Sequence, residues 1–485
     1  MAVTVFKNCR FLFASAEPEG ITTGDSVVVS DQSISYVGDF ETYLQENPDA
    51  VVQTVIDCSD KLVMPGLIDG HNHLCNTHMN ISRAFPFDYG HISEHMLTTI
   101  HDPYGWLTPE SLYDISMASA INALKHGATT VENSTILPDT AYEVMEECGI
   151  RGILAPQMAS SFRLDSDNLN WKQSLEKTKY CIEHYHNPKR RMSVAVHIHD
   201  LWDCTEQLMD RAMDMAEQYD TRFVLHFWEF QNAVERAGEL WKDDGGALNH
   251  YIKKGLVTER SVLFHGSRLV EEEIDRLAET GASVIHNPDI NGTNCGNCAY
   301  IPYMLKKGIN VGLGSDYGSL DVMSAMKLML LVHNIMPREE KGVAYNAPFY
   351  AATKGNAKAY GLENLTGTLE AGKRADIVTI DLKKASQLLP MCTSLIGRKT
   401  ELLYFLFLRN CAGTTTSETM VDGKFIRKDG EFTEIDEEKY VRKAYEWTNR
   451  CMEDLVEKHK THEHYARMIH PDFIRDEEIT WDILN

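Results

Sequence analysis

The sequence predicts an α/β fold, a (β/α)8 TIM barrel that carries a small β-sandwich domain formed from both chain ends. Three observations carry that expectation. Apolar, β-branched runs alternate with helix-period segments through the central part of the chain. Short strands separated by Gly, Asp and Asn turn signals precede this stretch, and similar ones follow it. A doubly wound open sheet would want a Gly-rich phosphate turn after its first strand; His71-Asn72-His73 stands there instead.

In chain order, segments 4–6, 26–30, 34–37 and 51–56 read as the opening strands. Eight candidate barrel strands follow, at 67–69, 130–132, 153–155, 195–197, 223–225, 262–264, 283–285 and 311–313. Segments 112–125, 205–219, 271–280 and 299–307 have helical periodicity between them. Late strands are expected at 375–380 and 418–425, pairing with the opening ones, and an amphipathic helix over 440–458. The resulting division is 1–60 and 366–435 as the two parts of the small β-domain, 61–365 as the barrel, and 436–485 as a helical tail.

Composition bounds the function. The 485 residues are 43% hydrophobic and 24% charged, as in an ordinary globular protein. A formal net charge of −24 repels phosphate backbones and anionic membranes, so nucleic acid and membrane partners are not expected. Residues 1–20 lack a basic stretch leading into a long apolar core, and the eleven cysteines are mostly scattered singly. A cytoplasmic location is the expectation.

The chemistry concentrates at strand ends. Successive residues i and i+2 on a strand face the same side, so His71 and His73 project two imidazoles into one place, a donor pair suited to zinc or iron. His226 ends the fifth predicted strand, either as a third imidazole ligand or as part of a packed aromatic strand end. His265 ends the sixth, and Asp316 follows the eighth, where a carboxylate could complete a ligand set and accept a proton. Barrel active sites are built at this end of the strands. A bound divalent ion lowers the pKa of its water to roughly 7, providing hydroxide as nucleophile at neutral pH. Glu229 would then protonate a ring nitrogen, and His265 would polarise the attacked centre.

These residues resemble the amidohydrolase superfamily, in its branch of chlorohydrolases and aminohydrolases typified by atrazine chlorohydrolase, guanine deaminase and adenosylhomocysteine deaminase. The resemblance spans about residues 5–435 and rests on a set of motifs. They are Pro65-Gly66-Leu67-Ile68-Asp69-Gly70-His71-Asn72-His73, Gly127-Ala128-Thr129-Thr130-Val131, His226 with Glu229, and His265. His286-Asn287-Pro288 with Asn291, Ser315-Asp316, and the Gly-Thr-Leu-Glu-Ala-Gly-Lys-Arg-Ala-Asp segment ending at Asp376 complete it. The resemblance implies one divalent ion per subunit, zinc first and iron(II) second, held by His71, His73, His226 and Asp316. It implies Glu229 and His265 as the acid/base pair, with Asp316 also catalytic, and a homodimer or larger assembly. Binuclear relatives place a carboxylated Lys or a Glu at the end of strand four; His197-Ile198-His199 stands there, which favours a single ion.

That second His-x-His is read as a substrate-pocket or structural pair, with Trp202 beside it. Asn291 and Cys295 are further pocket candidates, and Cys295-Gly296-Asn297-Cys298 lacks the second cysteine pair that a zinc site would want. The expected activity is metal-dependent deamination of an amino-substituted N-heterocycle such as a purine, pterin or triazine. Hydrolytic dehalogenation and cyclic amide hydrolysis use the same constellation. A non-catalytic metal-binding barrel would show Glu229, His265 or Asp316 replaced, and all three are present.

Overall fold

The computed structural model describes residues 2–75, 108–159, 171–200, 204–318, 320–336, 338–385 and 392–459. Eight parallel strands make the barrel: β1 (Leu67–Asp69), β2 (Ala128–Thr135), β3 (Arg151–Met158), β4 (Val196–Asp200), β5 (Phe223–Phe227), β6 (Ser261–His265), β7 (Ser283–His286) and β8 (Asn310–Leu313). They neighbour one another in sequence order, with a short extra strand, Met192–Val194, beside β3. The apolar runs read from the sequence mark only part of β2 and β3. Both strands continue through buried polar residues, among them Asn133, Ser134 and Gln157, which a search for apolar runs passes over.

Closure of the barrel rests on a polar seam between β1 and β8. The Asn356 amide donates to the Ile68 and Leu313 carbonyls, both at 2.7 Å, and its oxygen accepts the Leu313 N–H at 3.0 Å. Gly70 N–H donates to the Leu313 carbonyl and Asp316 N–H to the His71 carbonyl, at 2.9 and 2.8 Å. The Asp69 carboxylate accepts the Ser315 N–H at 2.9 Å and the Asn72 amide at 3.0 Å. A Cβ at Gly312 would lie 2.0 Å from Asn356 Oδ1, so only glycine admits the amide here. Ile68, Val224, Val262, Phe264 and Ile285 fill the interior, packed against Ala357, Tyr360 and Leu362 from the segment that carries Asn356.

Two further sheets form a sandwich. Ala2–Lys7, Ser26–Ser30, Ser33–Gly38 and Val51–Asp57 make one of them. The other joins Phe11–Phe13, Ile21–Thr22 and Lys61–Pro65 to strands from the far end of the chain. The late strands therefore do not pair with the four opening ones as expected: Ile377–Asp381 lies antiparallel to Lys61–Pro65. The segment 418–425 is not a single strand either. Asp422 and Gly423 take left-handed φ values of 51° and 81°, turning Thr416–Val421 into a hairpin with Lys424–Lys428. Phe6, Val27 and Val29 of one sheet pack with Leu12, Val63, Ile377 and Met420 of the other.

Arg151, at the start of β3, ties the sandwich to the barrel. Its buried guanidinium reaches Asp376 at 2.7 and 3.1 Å and Asp422 at 3.2 Å. The C-terminal helix Glu437–His459 lies against Pro109–Lys125 through Lys443 and Trp447, which both donate to Asp114. No described helix is long and apolar enough to cross a membrane.

Asn356→Ala strips the seam of its amide and leaves buried backbone groups without partners. Unfolding stability should fall by about 3 kcal/mol, read as a lower denaturant midpoint at unchanged slope. An unchanged midpoint would show that the remaining backbone bonds suffice to close the barrel.

Candidate active site

The barrel mouth is lined by imidazoles of two kinds, told apart by what each Nδ1 does. His71 Nδ1 donates to Glu132 Oε2 at 3.1 Å, His73 Nδ1 to the Ser134 carbonyl at 3.2 Å, and His226 Nδ1 to the His199 carbonyl at 2.9 Å. A ring whose proton sits on Nδ1 presents a lone pair at Nε2, the form a metal ligand needs. His265 is opposite: its Nδ1 accepts amide protons from Asn291 at 3.2 Å and Asn287 at 3.4 Å, so Nε2 carries the proton. Three rings are thus prepared as ligands and one as a donor.

The aimed atoms converge. Asp316 Oδ1 lies 3.5 Å from His73 Nε2 and 3.7 Å from His71 Nε2, and the ring centroids of His71 and His226 are 4.9 Å apart. His71 Nε2 is buried with no hydrogen-bond partner among the described residues. Burial, followed by the neighbouring imidazoles, holds His71 and His226 far below the ordinary imidazole range, so both keep their lone pairs. A divalent ion with nitrogen and oxygen preferences fits this donor set, which could hold it through His71, His73, His226 and Asp316.

Beside them stand the proton-handling groups. His265 Nε2 is 3.6 Å from Glu229 Oε2 and 3.6 Å from Asp316 Oδ2. Burial, then His73 and His199, push His265 down to about 3, which keeps it neutral. Burial, then the Asp316 and Asp200 carboxylates, push Glu229 well above the usual carboxylate range, so it holds a proton near neutrality. Trp228, His265 and Asp316 take left-handed φ values of 52°, 70° and 55° just at the ends of β5, β6 and β8. Backbone strain of this kind costs roughly 1–3 kcal/mol per residue and gathers where side chains must be aimed.

Of the pocket candidates, His197 and His199 pack their rings 5.5 and 5.0 Å from that of His226. Asn291 holds His265, and the fully buried Cys295 thiol donates to Glu229 Oε1 at 3.7 Å. Trp202 lies outside the described residues. Several contributors were not singled out from the sequence. Glu132 accepts from His71, from the Asn72 N–H at 3.1 Å and from the Ser134 hydroxyl at 2.8 Å. Burial, with the Asp69 and Asp316 carboxylates adding to it, pushes this carboxyl well above the usual range against the pull of those donors; its Oε2 still accepts the Asn72 N–H and faces His71 Nδ1 from the same side. Its place at the end of the strand read at 130–132 was the available signal; Asn287 stood in the His286-Asn287-Pro288 motif without a role, and the His199 carbonyl offered none.

The model of the amidohydrolase family matches residues 62–426. A 5'-deoxyadenosine deaminase of Methanosphaera stadtmanae is 27% identical over 401 residues, covering 80% of this chain and 88% of its own. A 5-methylthioadenosine/S-adenosylhomocysteine deaminase of Caldanaerobacter subterraneus is 27% identical over 457 residues, covering 93% of this chain and 98% of its own. Among solved structures, a zinc-bound adenosine deaminase from Xanthomonas campestris superposes with a TM-score of 0.78 at 20% identity, over 93% of this chain and 98% of that one.

Glu132→Gln keeps the volume but replaces the carboxyl oxygen that faces His71 Nδ1. Affinity for zinc or cobalt, measured by competition with a chelator, should fall about 10–100-fold with the fold intact. Unchanged affinity would detach Glu132 from metal binding.

Proposed function

Because the chain belongs to the amidohydrolase family, we propose that it is a metal-dependent hydrolase that removes the amino group from an amino-substituted N-heterocycle. The observation that carries this reading is the division of imidazoles: three with Nδ1 donating and Nε2 free to ligate, one with Nε2–H beside two carboxylates. His71, His73, His226 and Asp316 hold one divalent ion, zinc first and iron(II) second. When bound, that ion supplies a water acidic enough to attack at neutral pH.

The chain's own groups do the rest. Asp316 takes the proton of the attacking water. Glu229 gives its proton to the ring nitrogen beside the attacked carbon, the task suited to a carboxyl kept protonated by burial. His265 Nε2–H, oriented by Asn287 and Asn291, donates to the oxygen that adds. On collapse, the new hydroxyl returns its proton to Glu229, and Asp316 passes its proton to the departing amino group. A lactam and ammonia result. The curated relatives are named for adenosine derivatives, so 6-aminopurine nucleosides head the substrates to try, followed by free purines, pterins and triazines. The same reading takes residues 61–365 as the hydrolase domain and 1–60 with 366–435 as the small β-domain, with 436–485 as a helical tail. The protein works as a homodimer or larger assembly in the cytoplasm.

Ammonia release is measured across that panel, with chloride release from chlorinated analogues read in parallel. Ammonia from one scaffold supports the proposal; chloride alone would make the protein a dehalogenase. Silence on both, with metal bound, would count against it. Glu229→Gln should lose at least about 100-fold in kcat while retaining its metal. Dialysis against a chelator should abolish turnover, and added zinc or iron(II) should restore it.

A further inference from the structure

The two cysteines of the Cys-x-x-Cys segment part company in the fold. Cys295 faces Glu229, whereas Cys298 Sγ lies 3.9 Å from His286 Nε2, at the end of β7. His286 Nε2 in turn faces His333 Nε2 at 3.2 Å, from the last turns of the helix Val322–Ile335. The three donor atoms all lie within 4.8 Å of one another. His286, His333 and Cys298 are 0%, 1% and 8% exposed. Both Nδ1 atoms are buried with no partner among the described residues, so the rings' hydrogen-bonding contacts are with each other and with Cys298.

Those separations can be set against coordination geometry. A tetrahedral zinc, bonded at about 2.0 Å to nitrogen and 2.3 Å to sulfur, spaces its ligands roughly 3.3 Å (N to N) and 3.5 Å (N to S) apart. The observed edges of 3.2 and 3.9 Å fall close to that pattern before any adjustment of side chains. Two imidazoles and a thiolate are a donor set for a borderline-soft ion, not for magnesium or calcium. The sequence offered no second cysteine pair; two histidines from distant segments stand in its place.

We propose that His286, Cys298 and His333 form a second cation site, separate from the hydrolytic centre, for a divalent ion of the zinc class. It shares no ligand with His71, His73, His226 and Asp316. Arg338 donates to the Cys298 carbonyl at 3.4 Å. Burial pushes the Cys298 thiol up to about 12 against the pull of the Arg338 charge, so the thiol keeps its proton until an ion displaces it. Binding releases the thiol proton to solvent and changes no oxidation state. The ion would pin the loop bearing Asn291 and Cys295, which touch His265 and Glu229, to the Val322–Ile335 helix.

Cobalt(II) is the probe, added to the metal-stripped full chain. The hydrolytic ligands include no cysteine, so a thiolate-to-cobalt charge-transfer band reports the new site whether or not the deaminase reading holds. The wild type should show that band together with a second equivalent of bound cobalt. Cys298→Ser should lose both, His333→Gln should weaken both, and Cys295→Ser should keep both. A wild type with no thiolate band at saturating cobalt would overturn the proposal, even if a variant fails to fold. So would a band that survives Cys298→Ser and disappears in Cys295→Ser, since that places the ion against Glu229 and His265.

Discussion

Everything at the mouth of this barrel depends on joining the first strand to the last. β1 delivers His71 and His73, β8 delivers Asp316, and more than 240 residues separate the two in sequence. The Asn356 amide and the Asp69–Ser315–Asn72 cluster hold these strands in register with bonds that are wholly buried. Buried polar groups cost little while paired and much when not. The seam therefore tolerates one alignment, and that alignment brings Asp316 Oδ1 within 3.5 Å of His73 Nε2. Glycine at 312, where a methyl group would collide with Asn356, belongs to the same constraint.

Once the ring is closed, protonation does the sorting. A chain with a net charge of −24 still gathers neutral imidazoles at its centre, because burial and mutual repulsion both oppose a second proton on each ring. Which nitrogen keeps the single proton is then decided by fixed neighbours. Carboxyl and carbonyl oxygens face Nδ1 in His71, His73 and His226; amide donors drive the proton to Nε2 in His265. The left-handed backbone at His265 and Asp316 is the conformational counterpart of that aiming.

The parts legible in the sequence were those with a local signature. Period-two placement made the His71/His73 pair visible, and eight apolar runs marked the barrel strands because parallel strands are buried on both faces. The residues that set proton positions were not legible in the same way. Glu132 lies in a polar stretch of β2, the carbonyl of His199 has no side-chain signal at all, and Asn356 acts on strands far away in sequence. Strand partners showed the same limit: the apolar run at 377–381 announced a strand, but nothing local said that Lys61–Pro65 would be beside it.

That pairing also sets a timetable for synthesis. Met64 meets Val378, and Arg151 waits for Asp376 and Asp422, so the sandwich cannot be completed until nearly the whole barrel has left the ribosome. At roughly 5–20 residues per second, the intervening stretch of about 310 residues takes some 15–60 s to make. For that interval the apolar edge of Lys61–Pro65 has no β-strand partner on the 377–381 side, and the Arg151 charge lacks both carboxylates. A newly made chain is thus most in need of a chaperone before its last quarter emerges, and what ends its vulnerability is the arrival of the 377–381 strand and the hairpin turn that carries Asp422.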